Sequence, residues 1–341
     1  MVNTNKILIL FSFFFAFFSI YAVSTNEETL SVQPSSINFP PSEFVNLEGH
    51  AEASHAIIVE KNLHKLNLFH VDKFGNYSLE KQYFAITGKE QGDKKFRGDN
   101  RTPEGIYFVV GKKSKKDLLA QFGNYAKKYG DEAFVLDYPN IFDKRSRKTG
   151  SGIWIHGVEH NDRVLTPFDT EGCVALQNRD VKDLEQYISN FETPVVIVDK
   201  IETRKKEDIL LQKKTVLELL EGWRSSWENS DFENYMSYYS GTFQTLGMGA
   251  QDWLKYKKRI SKKRNQLIQI KISSPNILSF KNQILVTFVQ KYSSNEKVDL
   301  GRKFLYLKKE EEDDSYHIIA EKWYPINESE NTTQLDLAFV N

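Results

Sequence analysis

Residues 150–180 read GSGIWIHGVEHNDRVLTPFDTEGCVALQNRD, and the reading of the whole chain turns on them. The stretch carries the single cysteine, Cys173, set between Gly172 and Val174. It also carries His156, at the end of the apolar run Ile153-Trp154-Ile155. A thiol attacks as the thiolate, and a histidine brought beside it by folding supplies the base. One cysteine with a separate histidine is therefore a candidate nucleophile pair. The competing reading makes Cys173 a small buried hydrophobe, as most free cysteines are. Spacing alone leaves both open.

The neighbouring residues say more. His156-Gly157, then Thr170-Glu171-Gly172-Cys173-Val174, then Asn178 and Asp180, resemble the signature of the L,D-transpeptidase (YkuD-type) catalytic domain. Upstream, Arg101-Thr102-Pro103-Glu104-Gly105-Ile106-Tyr107 is similar to the family's Thr-Pro-x-Gly-x-Tyr/Phe segment. The phrase from Gly150 to Gly157 resembles the Csd6/Pgp2-like subgroup of L,D-carboxypeptidases, which carries a C-terminal NTF2-like domain. One position departs from the pattern: Ala175 stands where the family usually has arginine, two residues after the cysteine.

The resemblance implies a cysteine enzyme acting on peptidoglycan stem peptides. Cys173 would be the nucleophile and His156 the base, with the Gly157 carbonyl orienting the imidazole. Backbone N–H groups around Gly172 and Cys173 would hold the developing oxyanion. Thr170, Trp154 and Arg101 are the candidate substrate-binding residues. Water as acceptor makes an L,D-carboxypeptidase, the reading preferred here. An amine from a second stem makes an L,D-transpeptidase, the alternative. Ala175 also keeps open a binding module without turnover, since a guanidinium that could hold a carboxylate is missing. No cofactor is expected and no metal. His156 and His160 are four apart, but Gly157 stands where a helical HExxH motif needs glutamate.

The chain begins with a short polar end and an apolar, phenylalanine-rich run from Ile7 to Val23. Residues 1–24 are read as a secretory signal, with an uncleaved anchor as the runner-up. The expected location is the periplasm or envelope of a bacterium. In such a compartment one cysteine cannot form an internal disulfide, which moves Cys173 towards function. The formal charge is zero, with 46 basic and 46 acidic residues, so no global field favours nucleic acid.

Residues 25–50 mix Pro, Ser, Asn and Glu without periodicity and read as an extended leader. Short β-type runs follow at His55–Val59, Lys65–Val71, Tyr83–Ile86, Gly105–Val110 and Phe134–Pro139, with a helix predicted over Lys115–Lys128. Asn178 is expected to cap or anchor a helix holding Asp180 in its first turn, and Thr193–Val198 closes the domain as a strand. Residues 51–201 thus form a mainly-β catalytic domain, a sandwich with short helices.

The charged run Glu202–Asp208 lacks apolar anchors, and 202–213 is read as a linker open to proteolysis. Val216, Leu219, Leu220, Trp223 and Trp227 then lie on one helical face. Two shorter helices and four strand-like segments follow, an α+β layout over 214–326 that resembles an NTF2-like domain. It is expected to fold separately and to supply no catalytic residue. Such a domain offers a surface for a protein partner or a second copy of the chain. Residues 327–341 are read as a tail.

Overall fold

Successive side chains of a strand face opposite ways, so an unbroken apolar run such as His55–Val59 needs cover on both faces. The computed structural model provides it, and describes residues 41–47, 54–262, 268–273, 275–295, 297–311 and 314–326. The run lies in the strand Ser54–Glu60, near the middle of an eight-stranded mixed sheet. Across that sheet the order is Val174–Ala175, Trp154–His156, Glu132–Leu136, Gly105–Ser114, Pro194–Val198, Ser54–Glu60, Lys65–Val71 and Tyr77–Phe84. Ile57, Val59, Tyr107, Val109, Val195 and Ile197 bury one face against the helix Asn178–Leu184 through Val181 and Leu184.

The opposite face meets a second sheet. That sheet is antiparallel and is built from Gln269–Ile272, Asn276–Phe280, Gln283–Ser293, Val298–Lys309 and Tyr316–Pro325, with Phe44–Asn46 on one edge. Ala56, Ile58, Ile106, Phe108, Val196 and Val198 from the first sheet share one core with Leu278, Leu285, Phe304, Tyr306 and Ile319 from the second. Phe108 meets Phe304 edge-on at 5.3 Å between ring centroids, and Phe142 meets Tyr306 at 5.1 Å. The far face of the second sheet carries the helix Lys206–Glu228, whose Val216, Leu220, Trp223 and Trp227 pack on Ile277, Ile284, Val286 and Phe288. The mainly-β first lobe and the α+β second lobe are as the sequence implies.

Several sequence expectations are corrected. The leader is not all outside the fold: Phe44–Asn46 pairs with Asn276–Phe280 of the second sheet, a strand too short to show periodicity. The charged linker is anchored. The Ser42 N–H donates to the Glu202 carbonyl at 2.8 Å, and Arg204 donates to the Ser42 carbonyl and to Gln212 Oε1. From Lys206 the chain is already helical, with Glu207 and Asp208 in the first turn where acidic groups suit the helix dipole, and Ile209 is buried. The helix over 115–128 stops at Phe122, because Gly123 turns to φ +56°, and continues as 3₁₀ turns from Gly123 to Tyr129. The second lobe's large sheet also includes Asn276–Phe280, which the four expected strand segments left out. The shared core also argues against separate folding of the second lobe.

The signal segment 1–24, residues 25–40 and 48–50 of the leader and the tail 327–341 lie outside the described residues. Among the described residues no helix is long and apolar enough to cross a membrane.

Candidate active site

Trp154–His156 pairs antiparallel with Glu132–Leu136 and parallel with Val174–Ala175, setting Val174 opposite Ile155 and Ala175 opposite His156. Ile155 and Val174 turn into the core of the first lobe. By the two-residue alternation, Trp154, His156 and Cys173 face the other way. They line one cavity of about 580 Å³, together with Tyr129, Thr170 and Arg163.

His156 is 3% exposed, and its Nδ1 lies 2.5 Å from the Gly157 carbonyl oxygen. A carbonyl only accepts, so Nδ1 carries the proton and Nε2 keeps its lone pair. Burial lowers the imidazole to about 4; the bond to Gly157 raises it, and the charges of Arg163 and Lys128 lower it further. Tyr129 meets the ring edge-on at 5.1 Å. Cys173 is half-buried, and its Sγ donates to the Gly152 carbonyl at 3.4 Å. Burial pushes the thiol up to about 11, opposed by the Trp154 backbone and by Lys128 and Lys94. Both groups thus rest neutral, a thiol and an imidazole whose Nε2 lone pair is not used by the Gly157 bond.

Thr170 clips the cysteine loop. Its Oγ1 donates to the Cys173 carbonyl at 2.7 Å and accepts from the Gly172 N–H at 3.1 Å. The Gly172 amide, expected among the N–H groups around an oxyanion, is thus engaged by Thr170. The glycine is required for another reason. Its φ is +127°, and a Cβ there would stand 2.6 Å from the Arg101 carbonyl oxygen.

Arg101 itself is not among the cavity-lining residues. Its backbone bridges Glu90, its N–H donates to Asp99 Oδ1, and its guanidinium runs towards Gly92. Trp154 is a wall, 7% exposed and packed on Phe122 and Tyr129. Ala175 is fully buried beside Ile86 and Val158 and exchanges both backbone hydrogen bonds with Ile86.

Asn178 anchors rather than caps. The helix begins at Asn178 with Gln177 as its N-cap, and the Asn178 amide holds Val158 on both sides, accepting from its N–H at 3.1 Å and donating to its carbonyl at 2.8 Å. A Cβ on Gly157 or Gly130 would fall within about 2.1 Å of Asn178 Oδ1, so this contact demands glycine at both positions. Sequence reasoning missed Lys128, Tyr129 and the Arg163–Asp169 ion pair at 2.7 Å, for which no local motif exists.

Residues 54–197 match the family model of the L,D-transpeptidase catalytic domain (YkuD), and residues 215–322 match that of the Cds6 C-terminal NTF2-like domain. Among solved structures, Bd1075 of Bdellovibrio bacteriovorus is 33% identical, with 85% of this chain and 99% of that chain covered and a TM-score of 0.70. The helical cell shape determining protein Pgp2 of Campylobacter jejuni is 29% identical, covering 82% and 96%, with a TM-score of 0.63. No curated protein matches significantly. The chain therefore belongs to the peptidoglycan-modifying family that joins a YkuD-type L,D-transpeptidase catalytic domain to a Cds6 C-terminal NTF2-like domain.

Proposed function

We propose that this protein is an L,D-carboxypeptidase that releases the terminal D-alanine of a peptidoglycan tetrapeptide stem through an acyl-enzyme on Cys173. The observation that carries the reading is the His156–Gly157 contact, which fixes the tautomer with its accepting nitrogen in the cavity that Cys173 also lines. In the first half-reaction His156 Nε2 takes the thiol proton as Sγ attacks the carbonyl carbon before D-alanine. The tetrahedral oxyanion is met by the Cys173 N–H, since Thr170 occupies the amide of Gly172. Collapse breaks the C–N bond, and the proton on His156 passes to the leaving amine of D-alanine. In the second half-reaction His156 deprotonates a water, which hydrolyses the thioester and restores the thiol.

Water is favoured over an amine acceptor for two reasons. The sequence resembles the trimming subgroup, and Ala175 offers no guanidinium to hold a second anionic stem. The substrate puts the site outside the cytoplasm, consistent with the apolar N-terminal run. The likeness to Pgp2 supports a part in setting cell shape. Purified tetrapeptide muropeptides provide the test, with products read by mass. Tripeptide muropeptide and free D-alanine are the expected products. Cross-linked dimers would move the assignment to transpeptidase, and unchanged substrate would leave only binding.

A further inference from the structure

The cavity around Cys173 is lined by five cations, two of which are held in ion pairs. Lys94 is held by Asp99 at 2.6 Å and Arg163 by Asp169 at 2.7 Å. Lys89 and Arg97 have no carboxylate partner among the described residues either, but both are exposed. The fifth, Lys128, is half-buried and has no carboxylate partner among the described residues; its ammonium lies 5.1 Å from the Tyr129 ring centroid.

Its backbone is fixed independently of its side chain, because the Lys128 carbonyl accepts from Arg163 Nη1 at 3.3 Å, and Arg163 also donates to the Asp169 carbonyl. The same arginine thus ties Lys128 to the residue preceding Thr170, the clip of the cysteine loop. The positive charge of Lys128 acts on both Cys173 and His156, as expected of a cation beside the reacting atoms.

We infer that Lys128 is the specificity-determining residue that holds the free C-terminal carboxylate of the peptide whose last residue is removed. The inference rests on the carboxypeptidase reading for its substrate, but not on turnover. A cation without a partner in a half-enclosed cleft keeps its full capacity for a charge-assisted bond to an incoming carboxylate. The carboxylate of the departing residue lies one carbon beyond the scissile nitrogen, so its partner must stand near Sγ. This arrangement would restrict the site to chain ends and exclude internal bonds. It also supplies locally, from a lysine, the anion contact that buried Ala175 cannot make.

The test uses the full chain carrying Cys173→Ala, with and without Lys128→Gln or Lys128→Arg. Each is titrated calorimetrically with a synthetic tetrapeptide ending in D-alanine, as the free acid and as the C-terminal amide. The Cys173→Ala protein should bind the acid about ten-fold or more tightly than the amide. Lys128→Gln should remove that preference by weakening the acid alone, and Lys128→Arg should keep most of it. The inference is overturned if Lys128→Gln weakens acid and amide equally, if the preference survives it, or if no preference exists to begin with. Turnover by the unmodified enzyme is a separate measurement. Selective binding of the acid without D-alanine release would sink the carboxypeptidase reading and leave the role of Lys128 standing.

Discussion

At the scale of single residues, the proposed reaction rests on a buried histidine with a fixed tautomer and a thiol raised to about 11 that line one cavity. Cys173→Ala and His156→Ala should each lower turnover by about 10³-fold or more while the far-ultraviolet spectrum stays unchanged. Either variant retaining half the activity would contradict the assignment. The histidine also leaves a mark on stability. Its folded pKa of about 4 lies below the ordinary 6.5, so the unfolded chain binds more protons between those values. Stability from this group is therefore complete above pH 6.5 and is lost as pH falls towards 4, by roughly 3 kcal/mol at most. Asp137 and Glu43, raised by burial to about 6 and about 7, run the opposite way. Comparing urea unfolding of the wild type with His156→Asn at pH 7 and pH 4.5 isolates the histidine. The variant should lose less stability over that interval, and an equal loss would contradict the buried neutral imidazole.

At the scale of elements, the site is two short strands and the two loops that leave them, each held by one polar side chain. Asn178 holds the loop after His156, and Thr170 holds the loop before Cys173. Asn178→Ala would leave both backbone groups of Val158 unpaired, at a cost of about 2 kcal/mol. Turnover should fall about ten-fold or more with little change in KM, because the Gly157 carbonyl loses its support while the cavity keeps its lining. Thermal unfolding and steady-state kinetics check both, and unaltered kinetics would show that the loop needs no anchor. The family motif made legible that His156 and Cys173 line one cavity and that Thr170 closes the Thr-x-Gly-Cys loop, although spacing alone left the cysteine's role open. It did not make legible the true use of Asn178 and Gly172. A helix start and a backbone-permissive turn explain those residues equally well until their neighbours in space, Val158 and the Arg101 carbonyl, are known. The motif of Arg101 was likewise visible, but not that its side chain lies outside the cavity lining.

At the scale of the molecule, two sheets lie face to face and share a core. The two-residue alternation of Ser54–Glu60, Gly105–Val109 and Pro194–Val198 already required cover on both faces, yet nothing local says what the cover is. The sequence reading divided the chain at Glu202–Asp208 by charge. The division misses the partner of Ile58, Phe108 and Val196, which is the face carrying Leu285, Phe304 and Tyr306 about a hundred residues or more further on. Calorimetric unfolding of the full chain should accordingly give one cooperative transition, and residues 206–326 produced alone should aggregate with that apolar face exposed. Two well-separated transitions, or a soluble folded fragment, would contradict a shared core. Phe304→Ala should destabilise by about 3–5 kcal/mol, as truncations of buried aromatics do, and should leave the kinetics of the surviving folded enzyme unchanged.

The covalent intermediate tests the central claim most directly. Intact-protein mass spectrometry of the enzyme, quenched in acid during turnover of a tetrapeptide substrate, should show a population heavier by the substrate minus D-alanine. Digestion should put that mass on the peptide containing Cys173, and the Cys173→Ala protein should show none. D-alanine release that continues in Cys173→Ala, or turnover by the wild type with no adduct under any quench, would contradict an acyl-enzyme on this cysteine.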